Sequence, residues 1–210
     1  MRIAAIISLC LALLLAASCV KLQRQPLDQH FYALEVTRPA SAQAVVIPTV
    51  SPTTLLVRRL QAAPRTAGRE LVYRTAPSAW SADYYNLFFV SPADMLTQDL
   101  RAWLTSACVF ANVVGPGSLA ESGYILEGNV SALHGDFAVQ PAQAVAEMQF
   151  ILFKSTGEER QVVFTREYSR RVALAANSPQ ELVRAQREAV AGIYADLEAD
   201  LRAALTRKQP

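Results

Sequence analysis

One helix-start signal occurs twice and divides the chain. Ser91-Pro92-Ala93-Asp94 and Ser178-Pro179-Gln180-Glu181 each place a capping serine, a proline at the first helical position and an acid at the third. In that order the serine oxygen accepts an unpaired N–H, the proline gives up a donor that the helix would not use, and the acid faces the positive end of the helix dipole. After the first start, Met95 or Leu96, Leu100, Trp103 or Leu104, Ala107 and Phe110 or Ala111 fall on one face at helical spacing, and Gly115-Pro116-Gly117 is the expected stop. After the second, Leu182, Ala185, Ala189, Ile193, Leu197, Leu201 and Leu205 form the stripe of a long amphipathic helix. On its polar side Arg184 with Glu188 and Glu198 with Arg202 are spaced as ion pairs one helical turn apart.

The stretches around these helices are short runs of β-formers between turn residues. Phe31 to Val36 alternates until Pro39, and further runs cover Thr53 to Ala63, Glu70 to Thr75, Tyr124 to Val130 and Phe137 to Val139. Ala144 to Phe153 and Gln161 to Leu174 flank Ser155-Thr156-Gly157-Glu158-Glu159, a hairpin-type turn, so three consecutive antiparallel strands are expected here. Strands, helix, strands, helix predicts an α+β fold: an antiparallel or mixed sheet with two amphipathic helices packed on one side. With 52% hydrophobic and 18% charged residues in 210, residues 31–207 can bury the core of a single domain.

The beginning of the chain carries a different signal. Met1-Arg2, an apolar run from Ile3 to Ala17 and then Ser18-Cys19 are the three regions of a secretory signal. The run is shorter than the roughly 20 residues that span a bilayer. Leu15-Ala16-Ala17-Ser18-Cys19 resembles a lipobox, so residues 1–18 read as a lipoprotein signal peptide, Cys19 as the lipid attachment site and residues 19–30 as a lipidated N-terminus and tether. Val20 after the cysteine, where no Asp stands, points to the outer membrane with the domain facing the periplasm. Once Arg2 is removed, 19 basic residues face 18 acidic ones, which gives no reason to expect nucleic acid as a partner. Cys10 leaves with the signal and Cys19 is blocked, so Cys108, in an apolar helical stretch, is expected as a buried small hydrophobe.

Catalytic chemistry finds little to work with. His30 falls in the tether and His134 in an expected turn, His134-Gly135-Asp136. No closely spaced His and Cys set suits zinc, and Gly115-Pro116-Gly117-Ser118 lacks the lysine and spacing of a phosphate loop. A non-enzymatic protein with no cofactor beyond the covalent lipid is expected. The residues that stand out instead are Trp80, Tyr84, Tyr85, Phe88 and Phe89, five large rings in ten positions. They suit either the core under the first helix or a contact surface that is apolar on one side and wet on the other. They are the candidate partner or oligomer contacts.

The order of these features resembles the ABC-type transport auxiliary lipoproteins. The resemblance runs from the lipobox at Cys19 through Phe31-Tyr32-Ala33-Leu34, Val72-Tyr73-Arg74 and the aromatic run. It continues in Pro92-Ala93-Asp94-Met95-Leu96, in Tyr124-Ile125-Leu126-Glu127-Gly128 and in the closing long helix. The tryptophan that often precedes the proline in that family is replaced by Phe88 or Phe89. The resemblance implies an outer-membrane lipoprotein working with an MCE-type periplasmic protein and its ABC permease and ATPase. It also implies docking of the far end of a lipid conduit and self-association. A lipoprotein module for lipopolysaccharide or outer-membrane assembly is the alternative that the same layout allows.

Overall fold

The computed structural model describes residues 28–39, 51–157 and 159–206; the signal region, Cys19 and most of the tether lie outside them. In chain order the strands are β1 (His30–Tyr32), β2 (Ser51–Val57), β3 (Gln61–Ala62), β4 (Glu70–Ala76) and β5 (Ala79–Phe88). Helix α1 (Pro92–Ala107) follows, then β6 (Phe110–Val114), β7 (Tyr124–Asp136), β8 (Gln143–Thr156), β9 (Glu159–Ala173) and helix α2 (Pro179–Thr206). The fold is α+β, as the alternation of signals predicts.

β7 organises the sheet. On one edge it pairs antiparallel with β8, which pairs antiparallel with β9, so the expected three-strand meander is present. Along its other edge three short strands attach in turn and all run parallel to it: β2 at Tyr124 to Leu126, β3 at Asn129 and Val130, and β4 at Gly135 and Asp136. Beyond β2 lies β6, again parallel. Beyond β4 lie β5, antiparallel, and then the short edge strand β1, parallel to β5.

Both helix starts act as their residues dictate. Ser91 Oγ accepts the Asp94 N–H at 3.3 Å with Pro92 in the first turn. Ser178 Oγ accepts the Glu181 N–H at 3.3 Å. α1 ends earlier than the glycines suggest. Cys108 adopts φ 52°, a left-handed cap, and its N–H reaches Thr105 O at 3.3 Å. Phe110 to Val114 is therefore a strand and not the last turns of the helix, and Cys108 is exposed, against the expectation that it is buried. An apolar run that passes from helix into strand without a glycine hides that boundary.

The core lies between the sheet and the two helices. Met148, Phe150 and Leu152 of β8 meet Leu100 and Leu104 of α1 and Ile193, Leu197 and Leu201 of α2 in one apolar cluster. Each such fully buried side chain stabilises the fold by about 1.5–3 kcal/mol. The opposite side of β8 is polar, with Gln149 bonded to Glu167 at 3.2 Å and Glu147 to Ser169 at 3.3 Å. On the helix side, Asp200 of α2 takes Arg166 at 2.9 Å and the Tyr168 hydroxyl at 2.8 Å, and Asp196 takes Arg170. Asp196 and Asp200 thus clamp α2 to β9.

The chain after β1 is not a strand continuing to Val36. It leaves the sheet at Tyr32, and Leu34 and Val36 are buried against both helices. Val36 N–H donates to Asp99 of α1 at 2.9 Å, and Arg187 of α2 donates to the Leu34 carbonyl. Arg38 forms a two-pronged pair with Glu198, both prongs at 2.9 Å. Glu198 also accepts the Trp103 indole N–H at 3.0 Å and Arg202 at 3.2 Å. The sequence spacing places Glu198 on a solvated helix face with Arg202; in the structure both are inward, joining the N-terminal segment, α1 and α2. Burial alone would raise the Glu198 pKa, and the bonds from Arg38, Arg202 and Trp103 outweigh it and hold the carboxylate below its ordinary value.

Two further expectations change. Phe137 to Val139 is not a strand, because Asp136 turns back to accept the Ala138 N–H at 3.1 Å and Phe137 donates to Arg74 O at 2.8 Å. His134 belongs to β7 and not to a turn.

Candidate functional site

The aromatic run occupies β5 and the two residues after it, and its geometry comes from an irregular pairing with β4. Between Val72↔Ala82 and Glu70↔Leu87, β4 advances two residues while β5 advances five, so the segment Asp83–Asn86 bulges out of the ladder. Asp83 holds the bulge. Its carboxylate accepts the N–H groups of Tyr85 at 2.9 Å and Asn86 at 3.0 Å, the Asn86 side chain at 2.9 Å and the Tyr73 hydroxyl at 2.7 Å. Burial would raise the Asp83 pKa, but these donors lower it on balance; burial and the Asp83 bond both raise that of Tyr73. Asn86 Oδ1 in turn accepts the Tyr32 hydroxyl at 3.0 Å, which ties β1 to the same network.

The five rings separate into two sets. Phe88 is 1% exposed and belongs to the core. Trp80 is half-buried, edge-on to His134 at 4.8 Å with the Arg65 guanidinium 4.1 Å above its ring, so both of its sides are occupied. Tyr84, Tyr85 and Phe89 are 58%, 53% and 67% exposed. Two residues that the sequence reading left out join them, Phe31 at 48% and Val90 at 41%. Phe31 and Phe89 meet edge to face with centroids 6.4 Å apart, and Tyr84 and Tyr85 do the same at 5.4 Å. Arg69 sits 5.9 Å over the Phe31 ring and donates to the Phe89 carbonyl at 3.3 Å, which gives the band a basic rim. Gln29 Nε2 bonds the Tyr84 carbonyl at 3.0 Å, so the N-terminal segment lies along the band. Phe31 was detectable in principle, as the outward residue of an edge strand whose neighbour carries the cluster.

This partition predicts unequal consequences. Phe88→Ala is expected to lower unfolding stability by about 3–5 kcal/mol, because it empties a filled core position. Phe89→Ala is expected to shift it by no more than about 0.5 kcal/mol. Urea titrations of the two variants, read at one temperature, check the pair; comparable losses would place Phe89 in the core.

The other singled-out residues are dispersed. His30 is exposed at the start of β1, and His134 is partly buried against Trp80, where burial pulls its imidazole pKa down. Asp136, fully buried, is held ionised chiefly by its hydrogen bonds from Arg74. Among the described residues no group of three His, Cys, Asp or Glu side chains is placed to hold a metal ion. Among them also, no helix is long and apolar enough to cross a membrane.

A family model described as ABC-type transport auxiliary lipoprotein component matches residues 32–198. Among solved structures, protein XCC0632 from Xanthomonas campestris is similar at 19% identity and TM-score 0.68, over 80% of this chain and 91% of that one. A second, titled only as an uncharacterized protein, is similar at 17% identity and TM-score 0.64, over 82% of this chain and 98% of that one. At these identities the two structures speak for the fold. No curated protein sequence matches the chain.

Proposed function

The chain belongs to the family of ABC-type transport auxiliary lipoprotein components, and from that premise we propose that it is a non-catalytic, lipid-anchored subunit of an ABC transport system in the bacterial envelope. The family match, which runs through nearly the whole domain, carries this reading. In its finer form the lipid is attached at Cys19, the anchor is in the outer membrane and the domain faces the periplasm. It docks the periplasmic MCE-type component of a lipid transporter whose permease and ATPase reside in the inner membrane, and it does so as a homo-oligomer. The subunit supplies position and contacts, with no part in ATP hydrolysis.

The polar groups inside the domain agree with a role of this kind, since their bonds are spent on architecture. Glu198 joins Arg38, Trp103 and Arg202; Asp136 joins Arg74; Asp83 joins Tyr73 and Asn86. The exposed aromatic band is a group of large side chains that the described architecture does not bury.

Cross-linking in intact cells, followed by capture through a C-terminal tag and mass spectrometry, tests the reading. Recovery of an MCE protein with its permease or ATPase is the expected result. Recovery of an outer-membrane β-barrel alone would replace transport by a role in lipopolysaccharide or outer-membrane assembly.

A further inference from the structure

We propose that Phe31, Tyr84, Tyr85, Phe89 and Val90 rest in the headgroup layer of the membrane that holds the anchor, giving the domain a second, non-covalent contact that fixes its orientation there. This inference rests on the lipid-anchored reading above. It goes beyond it by assigning the band to the bilayer and not to a protein.

Three observations carry it. The first is connectivity. Only residues 20–27 separate Cys19 from the first described residue, Asp28, and a segment that short reaches no more than about 30 Å when fully extended. The chain then enters the fold through Gln29, which bonds to Tyr84, and Phe31, which packs on Phe89. The tether therefore joins the fold beside the band, at Gln29 and Phe31.

The second is composition. Two phenylalanines and a valine supply apolar surface, and two tyrosines supply rings with polar tips, which is the mixture favoured at the boundary between acyl chains and headgroups. Arg69, over the Phe31 ring, adds a cation of the kind that lipid phosphates attract. The third is size. The five side chains present roughly 500 Å² of surface, a small patch beside the ~800 Å² that each partner of a stable protein interface contributes from all of its residues. A bilayer has no such threshold, because the anchor already supplies the affinity and the band needs only to orient.

The full lipoprotein is reconstituted into vesicles of phosphatidylethanolamine and phosphatidylglycerol, with plain or brominated acyl chains, and recovered by flotation. Tryptophan is introduced at two exposed positions. Phe89→Trp reports the band. Leu119→Trp reports the turn leading into the start of β7, whereas β4, which carries β5 on its far edge, attaches near the end of β7. The emission of Trp80 and Trp103 is removed by comparison with the unsubstituted protein. The expected result is flotation of both variants, with brominated lipid cutting the added emission at position 89 by about twofold, as for a ring at the interface, and leaving position 119 unchanged.

Flotation with no quenching at position 89 would overturn the contact while leaving the anchor standing. If, in that case, emission at position 89 shifted to the blue as protein density in the vesicle rose, the band's occupant would be a second copy. Equal quenching at both positions would overturn a fixed orientation. Failure of the unsubstituted protein to float would remove the anchor reading and the contact together. Should Phe89→Trp fail to fold, Tyr85→Trp provides the same measurement.

Discussion

Glu198→Ala is expected to lower the stability of the domain by about 3–5 kcal/mol, the penalty for leaving buried charge without its counter-ion. The carboxylate accepts five donor groups from three parts of the chain: two from Arg38, the Trp103 indole N–H, and two from Arg202 in the next turn of its own helix. The side chains of the Arg38–Glu198 pair are only 4% and 11% exposed, so water cannot stand in for the lost oxygens. In urea, with a slope of about 2 kcal/mol per molar for a domain of this size, the midpoint should fall by roughly 2 M at unchanged slope. A shift under about 0.5 M would mean that the pair is solvated in solution.

The same site should shape the acid limb of stability. A carboxylate whose folded pKa lies below its unfolded value contributes fully above the unfolded value, near 4.3 for glutamate, and loses that contribution as pH falls through the folded value. Glu198 is of this kind. The gap in stability between the unsubstituted protein and Glu198→Ala should therefore be widest at neutral pH and narrow below about pH 4.3. Replacing the pair together, as Arg38→Met with Glu198→Leu, should recover the share of the loss that comes from Arg38, while Arg202 and the Trp103 N–H still lack their acceptor.

Cys19→Ala is expected to have the largest effect on where the protein is found. An acyl chain contributes about 0.8 kcal/mol per buried methylene, so two or three chains hold a protein in a bilayer essentially permanently, while the aromatic band alone gives only weak, reversible association. The variant should pass almost entirely from the membrane fraction to the soluble periplasmic fraction, and its intact mass should lack the lipid. Retention of the variant in the membrane fraction at the level of the unsubstituted protein would show that something other than Cys19 anchors it. The contrast with the vesicle experiment is useful: loss of the lipid should release the domain, whereas alteration of the band should leave it bound and change only its orientation.

Much of this architecture is legible from local chemistry. The two Ser-Pro starts place both helices, the apolar stripe of α2 is buried from Leu182 to Leu201, and the turn at Gly157 closes β8 on β9 with φ +65° at that glycine. What local chemistry does not carry is pairing at a distance. Nothing in Leu55 or Ala62 announces that each lies parallel to β7, because parallel neighbours are joined by no turn whose residues could be read. Glu198 is a similar case: its helical spacing to Arg202 is visible, while Arg38 comes from the far end of the chain. In the aromatic run, an alternating pattern would assign inward and outward rings by parity, but the bulge that Asp83 organises resets the parity between Ala82 and Leu87. The sequence identifies the cluster, and only the register separates Phe88 from Phe89.

β7 also sets an order in time. Leu55 and Arg74 have early partners in Val113 of β6 and Trp80 of β5, but β2, β3 and β4 remain without their common neighbour until more than half of the chain has been made. Pairings of such long sequence separation form slowly and leave strand edges open meanwhile. Until then the β4–β5 hairpin, with β1 on its edge, and the β2–β6 pair have no strand that joins them into one sheet. A chain delivered N-terminus first would thus emerge well before its shape is set, and the species most exposed to proteases and to its own neighbours would be the half-made one.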